Sequence, residues 1–310
     1  MTKFKAAVVQ AAPVPGDTRA TVAKTIKLIR EAAGLGANVA VFPEAFIGGY
    51  PKGANFNIYI GGRTPEGRQE FADYHAGAIA VPGAETDQIA DVAKELGVYL
   101  TIGVIERDGG TLYCTALYFS PEGYAGKHRK LMPTAAERLC WGYGDGSTLD
   151  TVETPWGAMG AVICWENYMP MMRAAMYGKR IALYCAPTAD DRDTWVATMQ
   201  HIALEGRCFV ISACQYLTRA NFPPTMANRI TDDDTEVLMR GGGIIVDPLG
   251  RIVAGPDYSG ETILTADLDT DDIPRAQFDF DVVGHYARPD VFTLLVNENV
   301  QTPVSSLRKG

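Results

Sequence analysis

Apolar positions along this chain recur in two periods, and the alternation between those periods lays out the elements. A nearly continuous apolar run over residues 4–12 reads as a buried strand. Asp17 or Thr18 then caps a helix with Val22, Ile26, Ile29 and Ala33 on one face, ended by Gly34. Residues 38–42 form the next strand, which stops at Pro43-Glu44. The polar, glycine-rich stretch from Gly48 to about Gly77 is long for a connection, so it holds a functional loop or a short embedded helix. Ile89, Val92, Ala93 and Leu96 fall at helical spacing before Gly97. Residues 98–106 and 111–119 alternate around Asp108-Gly109-Gly110, a hairpin signature, and a third strand runs from Tyr124 toward Lys130.

Residues 160–163 are small and apolar, as a buried strand is, and they lead into Cys164. Asn167 can cap the helix that follows, Pro170 suits its first turn and Gly178 its exit. Met171, Met172 and Met176 on that helix read as core. Residues 181–185 are a strand, 194–205 a helix and 208–215 a strand. A second hairpin joins residues 243–247 and 251–254 around Pro248-Leu249-Gly250, and 262–268 is a last strand. The segment 217–240, with Asp232-Asp233-Asp234, shows no pattern and reads as a solvated loop. Strands that follow helices yet also pair through hairpins predict mixed sheets. Two halves, each giving one sheet with helices outside, predict an α/β fold of four layers, an αββα sandwich.

Composition narrows the function. No linker divides the 310 residues, so one domain over 1–310 is expected, with a core over about 5–292 and a short C-terminal tail. Hydrophobic residues at 47% and charged ones at 21% suit a globular core. A net charge of −9 argues against nucleic acid or an anionic membrane as partner. No apolar run reaches the roughly 18 residues of a membrane span. The N-terminal segment turns polar too soon for an export signal, so the expectation is a cytoplasmic protein with reduced cysteines. The six cysteines show no C-x-x-C spacing, and His75, His128, His201 and His285 lie far apart, so neither a metal nor a cofactor is expected.

Candidate chemistry centres on Cys164, a thiol at a strand-to-helix corner of the kind that presents a nucleophile. Cys114 and Cys208, by contrast, read as strand packing residues. Glu44 and Lys130, like Cys164, fall at the ends of predicted strands, where side chains of α/β sheets converge on a shared crevice. Glu44 can serve as base to the thiol, and Lys130 can stabilise both thiolate and charge developing on a substrate. A Glu–Lys ion pair beside a buried cysteine is the alternative.

The local sequences break that tie. Val41-Phe42-Pro43-Glu44-Ala45-Phe46-Ile47-Gly48-Gly49-Tyr50-Pro51 resembles the first catalytic block of nitrilases. His128-Arg129-Lys130-Leu131-Met132-Pro133-Thr134-Ala135-Ala136-Glu137-Arg138, continuing to Trp141-Gly142-Tyr143-Gly144-Asp145-Gly146, resembles the second. Cys164-Trp165-Glu166-Asn167-Tyr168-Met169-Pro170 matches the nucleophile block, and residues 280–290 are similar to the closing motif. The resemblance implies an αββα sandwich and cofactor-free hydrolysis of a small-molecule nitrile to carboxylate and ammonia. It makes Glu44 the general base, Lys130 the electrophilic stabiliser, Cys164 the nucleophile and Glu137 a further functional carboxylate. The Trp165 N–H at the helix entrance would be a second donor to the intermediate. Tyr50 and Trp165 are candidates for the pocket wall, and His128 takes a supporting part. An amidase with the same triad, a cyanide-degrading relative and a catalytically silent interaction protein are the competing readings. The block over 128–146 favours nitriles, and the form of 46–53 favours arylalkyl or aliphatic ones. Nitrilases commonly carry a longer C-terminal tail associated with spiral growth, so a homodimer is expected here rather than a filament.

Overall fold

The two apolar periods resolve into two six-stranded sheets with helices on their outer faces. The structure, a computed structural model, describes residues 2–223, 226 and 230–304. The chain enters through β1 (Lys3–Gln10), α1 (Thr18–Gly34), β2 (Val39–Val41), α2 (Pro65–Ala76) and α3 (Ala84–Leu96). The meander β3 (Tyr99–Asp108), β4 (Thr111–Ser120) and β5 (Gly123–Arg129) follows. Next come β6 (Val152–Thr154), β7 (Gly157–Ala161), α4 (Pro170–Gly178), β8 (Ile181–Thr188), α5 (Asp193–Gly206) and β9 (Phe209–Cys214). Then β10 (Tyr216–Thr218), β11 (Val237–Arg240), β12 (Gly243–Val246), β13 (Ile252–Asp257), β14 (Thr262–Asp269) and α6 (Asp272–Gln277) complete the order.

One sheet runs β14-β1-β2-β3-β4-β5 and the other β13-β12-β9-β8-β7-β6. Phe4, Val8, Val41 and Tyr118 of the first face Met159, Leu183, Phe209 and Ile245 of the second in a shared apolar layer. Outside the first sheet, Val22 and Ile29 of α1 and Ile89 of α3 pack against Ala7, Val9 and Leu100. Outside the second, Met172 and Met176 of α4 and Trp195 and Met199 of α5 pack against Val162, Tyr184 and Val210. The layering is αββα. The halves are not self-contained, however: β14 pairs antiparallel with β1 from Lys3↔Asp269 to Gln10↔Thr262. That strand covers an edge whose backbone groups would otherwise be left without partners.

Local departures from the sequence reading have identifiable causes. Residues 48–77 contain α2, which Thr64 caps by accepting from the Gly67 N–H and which has Pro65 in its first turn. Met169, not Asn167, is the N-cap of α4, because the Asn167 amide turns back and donates to the carbonyls of Val162 and Cys164, each at 2.8 Å. The left-handed exit from α4 falls at Arg180 (φ 57°) rather than at Gly178. Met171 is 67% exposed, so of the three methionines Met172 and Met176, one turn apart, enter the core, with Tyr177 beside them. The segment 217–240 is not patternless: β10 and β11 pair and bury Leu217, Leu238 and Met239 with Ala12 and Phe222. Strands of three and four residues are too short to show alternation. Residues 224, 225 and 227–229 of that segment, and 305–310 of the tail, lie outside the described residues. Among the described residues no helix is long and apolar enough to cross a membrane, and no group of His, Cys, Asp and Glu could hold a metal ion.

Gly103 of β3 lets the turn after β2 lie directly across that strand. Its carbonyl accepts from the N–H groups of Phe46 and Ile47, at 2.8 and 3.1 Å. A Cβ there would stand 2.2 Å from the Pro43 carbonyl oxygen and 2.7 Å from the Glu44 Cα. Gly103→Ala is therefore expected to destabilise the fold by about 1–3 kcal/mol through overpacking. The check is a lowered urea midpoint with an unchanged m-value, whereas an unmoved midpoint would show that the turn yields without cost.

Candidate active site

Three strand ends converge where the two sheets meet. Glu44 lies three residues beyond β2, Lys130 directly after β5, and Cys164 three residues beyond β7. Glu44, Lys130 and Cys164 are all buried. The Lys130 Nζ donates to Glu44 Oε1 at 2.6 Å and to Glu137 Oε2 at 2.7 Å. Glu137 is held in turn by the Thr134 N–H on Oε2 (2.6 Å) and the Tyr50 hydroxyl on Oε1 (2.8 Å). The Lys130 ammonium also sits 5.6 Å from the centroid of the Trp141 ring, and the Tyr50 ring packs edge-on against that indole. Gln215 fixes the backbone beneath the base, donating from Nε2 to the Glu44 carbonyl at 2.8 Å.

The electrostatics follow from burial. Removal from water pushes the Glu44 carboxyl above its ordinary range; Lys130 pulls it back and Glu137 pushes it up further, leaving it raised. Burial also works against the Lys130 ammonium, but Glu44, Cys164, Cys114 and Glu137 outweigh it, so the group stays charged. Burial and then the Glu44 carboxylate push the Cys164 thiol up, and Lys130, Thr188 and the Ala189 backbone recover only part of the shift. The resting group is therefore a thiol, which becomes a nucleophile when a base takes its proton. Burial and the neighbouring Glu137 raise the Tyr50 phenol, which remains a donor.

The corner that presents Cys164 is a strained turn. Cys164 sits at φ 50°, in the left-handed region that non-glycine residues avoid, at a cost of about 1–3 kcal/mol. The Asn167 amide clasps its carbonyl at 2.8 Å. Glu166 anchors the turn from below: its carboxylate accepts from Ile163 N–H (2.9 Å), Leu131 N–H (2.6 Å) and the His128 Nε2 (3.0 Å). One buried carboxylate thus joins the nucleophile corner to the residue following Lys130.

The structure brings Glu44, Lys130, Cys164 and Glu137 together, with Tyr50 in contact with Glu137. Trp165 stands at the rim, 42% exposed, its Nε1 donating to Asp190 at 2.8 Å and its ring under the Arg192 guanidinium. His128 supports Glu166 rather than touching the triad. Glu166 itself carried no role in the sequence reading. The available signal was an acidic residue two positions past the thiol, directly after an apolar strand.

Comparisons with known proteins agree on the family. The carbon-nitrogen hydrolase family model matches residues 5–277. An aliphatic nitrilase of Sinorhizobium fredii (strain HH103) is 83% identical over 304 residues, 98% of this chain and 99% of that protein. A bifunctional nitrilase/nitrile hydratase of Nicotiana tabacum is 55% identical, over 97% of this chain and 88% of its own. For the fold alone, the solved structure of Saccharomyces cerevisiae Nit3, of branch 10 of the nitrilase superfamily, superposes with a TM-score of 0.69 at 22% identity. It covers 92% of this chain and 97% of that one.

Glu166→Ala strips three donors of their acceptor in a buried place and should cost about 3–5 kcal/mol, read from chemical unfolding. The pH dependence has a definite sign. His128 and the two backbone donors outweigh burial and hold the Glu166 carboxyl below its ordinary 4.5. Its contribution is complete above that value and drains as pH falls through the lowered folded value. The variant should lose that share of the acid sensitivity, and identical acid profiles would refute the anchoring role.

Proposed function

This chain belongs to the carbon–nitrogen hydrolase family as an enzyme of the nitrilase kind, and on that footing we propose that it hydrolyses an organic nitrile to the carboxylic acid and ammonia. The observation that carries the reading is a fully buried ammonium, Lys130, bonded to two carboxylates beside a buried thiol. Addition to a C≡N bond needs a nucleophile, a base for its proton and a fixed cation for the charge that appears on nitrogen. The likeness to an aliphatic nitrilase favours aliphatic substrates, with arylalkyl nitriles next.

In this reading Glu44 takes the Cys164 proton as sulfur adds to the nitrile carbon, then delivers it to nitrogen, giving a neutral thioimidate. Water, deprotonated by Glu44, attacks the same carbon, and the tetrahedral adduct expels ammonia to leave a thioester. A second water releases the acid and restores the thiol. Two waters and one nitrile give one acid and one ammonia. The Lys130 ammonium and the Trp165 N–H stabilise the negative charge at each addition. Glu137 fixes Lys130, and Tyr50 fixes Glu137. Neither a metal nor a cofactor enters the scheme. We read residues 1–310 as one domain acting as a cytoplasmic homodimer. Six free buried thiols support the compartment, and the exposed Phe292 and Leu295 support an interface between copies. Light scattering at the mass of two chains checks the assembly.

Cys164→Ala should abolish ammonia release across a nitrile panel while leaving the melting temperature near that of the parent. Glu44→Gln should lower kcat by about 10²–10⁴. Scoring amide together with ammonia separates complete hydrolysis from hydration. Because the Glu44 carboxyl is held above 4.5, it is protonated, and the base lost, at a pH where an ordinary glutamate is still ionised. The acidic limb of kcat/KM is thus expected above 4.5. Near-normal turnover in the Glu44→Gln enzyme would falsify the mechanism.

A further inference from the structure

Cys114 touches Glu44 and Lys130, two of the three charged residues of the site. It lies on β4 opposite Ile105, faces the layer between the sheets and is 1% exposed. Its thiol donates to Glu44 Oε1 at 3.4 Å, and its own carbonyl accepts from the Lys130 N–H at 2.8 Å. Lys130 Nζ donates to that same Glu44 oxygen at 2.6 Å. Cys114, Lys130 and Glu44 therefore close a ring in which one residue holds the base through its side chain and the Lys130 main chain through its carbonyl. Glu44 Oε2 is buried and has no hydrogen-bond partner among the described residues. A carboxylate rotates about its last torsion between two nearly equivalent positions. Two donors on one oxygen remove that equivalence.

We propose that Cys114 is a positioning residue for Glu44: with Lys130 it ties down Oε1, so that Oε2 alone keeps free lone pairs and acts as the base. The assignment rests on the reading of Glu44 as the base. A thiol suits the task because it is a weak donor. A strong donor would stabilise the charged carboxylate and make it a poorer base, whereas no donor would let the group turn. Burial and the facing Glu44 carboxylate keep the Cys114 thiol protonated, so it donates and does not compete with Cys164 for the substrate carbon.

Three variants test this on an aliphatic nitrile. Cys114→Val suits a buried strand and cannot donate, though it adds roughly one methyl group, and Cys114→Ala removes donor and volume together. Both should lower kcat about ten-fold, the scale of one hydrogen bond to a charged group, with KM within about two-fold. Both should also move the acidic limb of the pH profile upward, because a donor to the ionised base is lost. Cys114→Ser restores a donor and should recover most of kcat with the limb moved downward. A packing role predicts instead that the limb stays put in all three variants and that Ser is no more active than Ala; either result overturns the proposal, as does failure of all three variants to fold. Cys164→Ala and Glu44→Gln are assayed alongside. If those two stay active, the underlying reading has failed; if they are inactive while the Cys114 variants match the parent, only the positioning role has.

Discussion

A single buried ammonium organises the centre of this protein. Lys130 has no exposed side-chain surface, and a lone charge so placed would cost several kcal/mol even after relaxation of its surroundings. Two carboxylates at 2.6 and 2.7 Å make its burial tolerable, and each has to be delivered by a different part of the chain. The turn after β2 brings Glu44, and the short helical turn after β5 brings Glu137, whose own position is fixed by the Thr134 N–H and the Tyr50 phenol. Once those demands are met, burial first and the Glu44 carboxylate second keep the nearby thiol protonated until a substrate arrives.

A second buried carboxylate does for geometry what the first two do for charge. Glu166 takes its donors from both sides of the crevice, and the strained φ of Cys164 persists because the surrounding contacts leave the corner no relaxed alternative. Glu166 and His128 are as buried as the triad, yet they hold its frame: among the described residues the Lys130 ammonium bonds Glu44 and Glu137 instead.

What the sequence disclosed was what is local. Glu44 and Cys164 each follow an apolar run of strand length and Lys130 ends a strand recognised from the hairpin before it, whereas Glu137 was reached by resemblance alone. Glu166 was hidden because its value lies in a partner 38 residues away. Cys114 was hidden more thoroughly: its strand periodicity is real, and the reading of it as a packing residue was sound as far as it went. Its contact with Glu44 spans 70 positions and leaves no trace in either neighbourhood. The pairing of β10 with β11 escaped for another reason, that elements of three or four residues carry too few positions to establish a period. The four-layer architecture was legible because most long elements declared a buried face, α2 with Gly67 as its one buried residue being the exception, but the membership of each sheet was not.

The strand that crosses between the halves bears on how the molecule is made. β14 lies near the end of the chain and pairs along the full length of β1, near its beginning. During synthesis β1 emerges first and waits for more than two hundred residues before its second neighbour exists. Until then one side of the sheet is an open row of hydrogen-bonding groups flanked by Val8 and Val9, a template for the wrong strand from another chain. Completion of the first sheet is therefore a late, long-range event, and nascent chains interrupted before Thr262 leave the β1 edge open to mispairing.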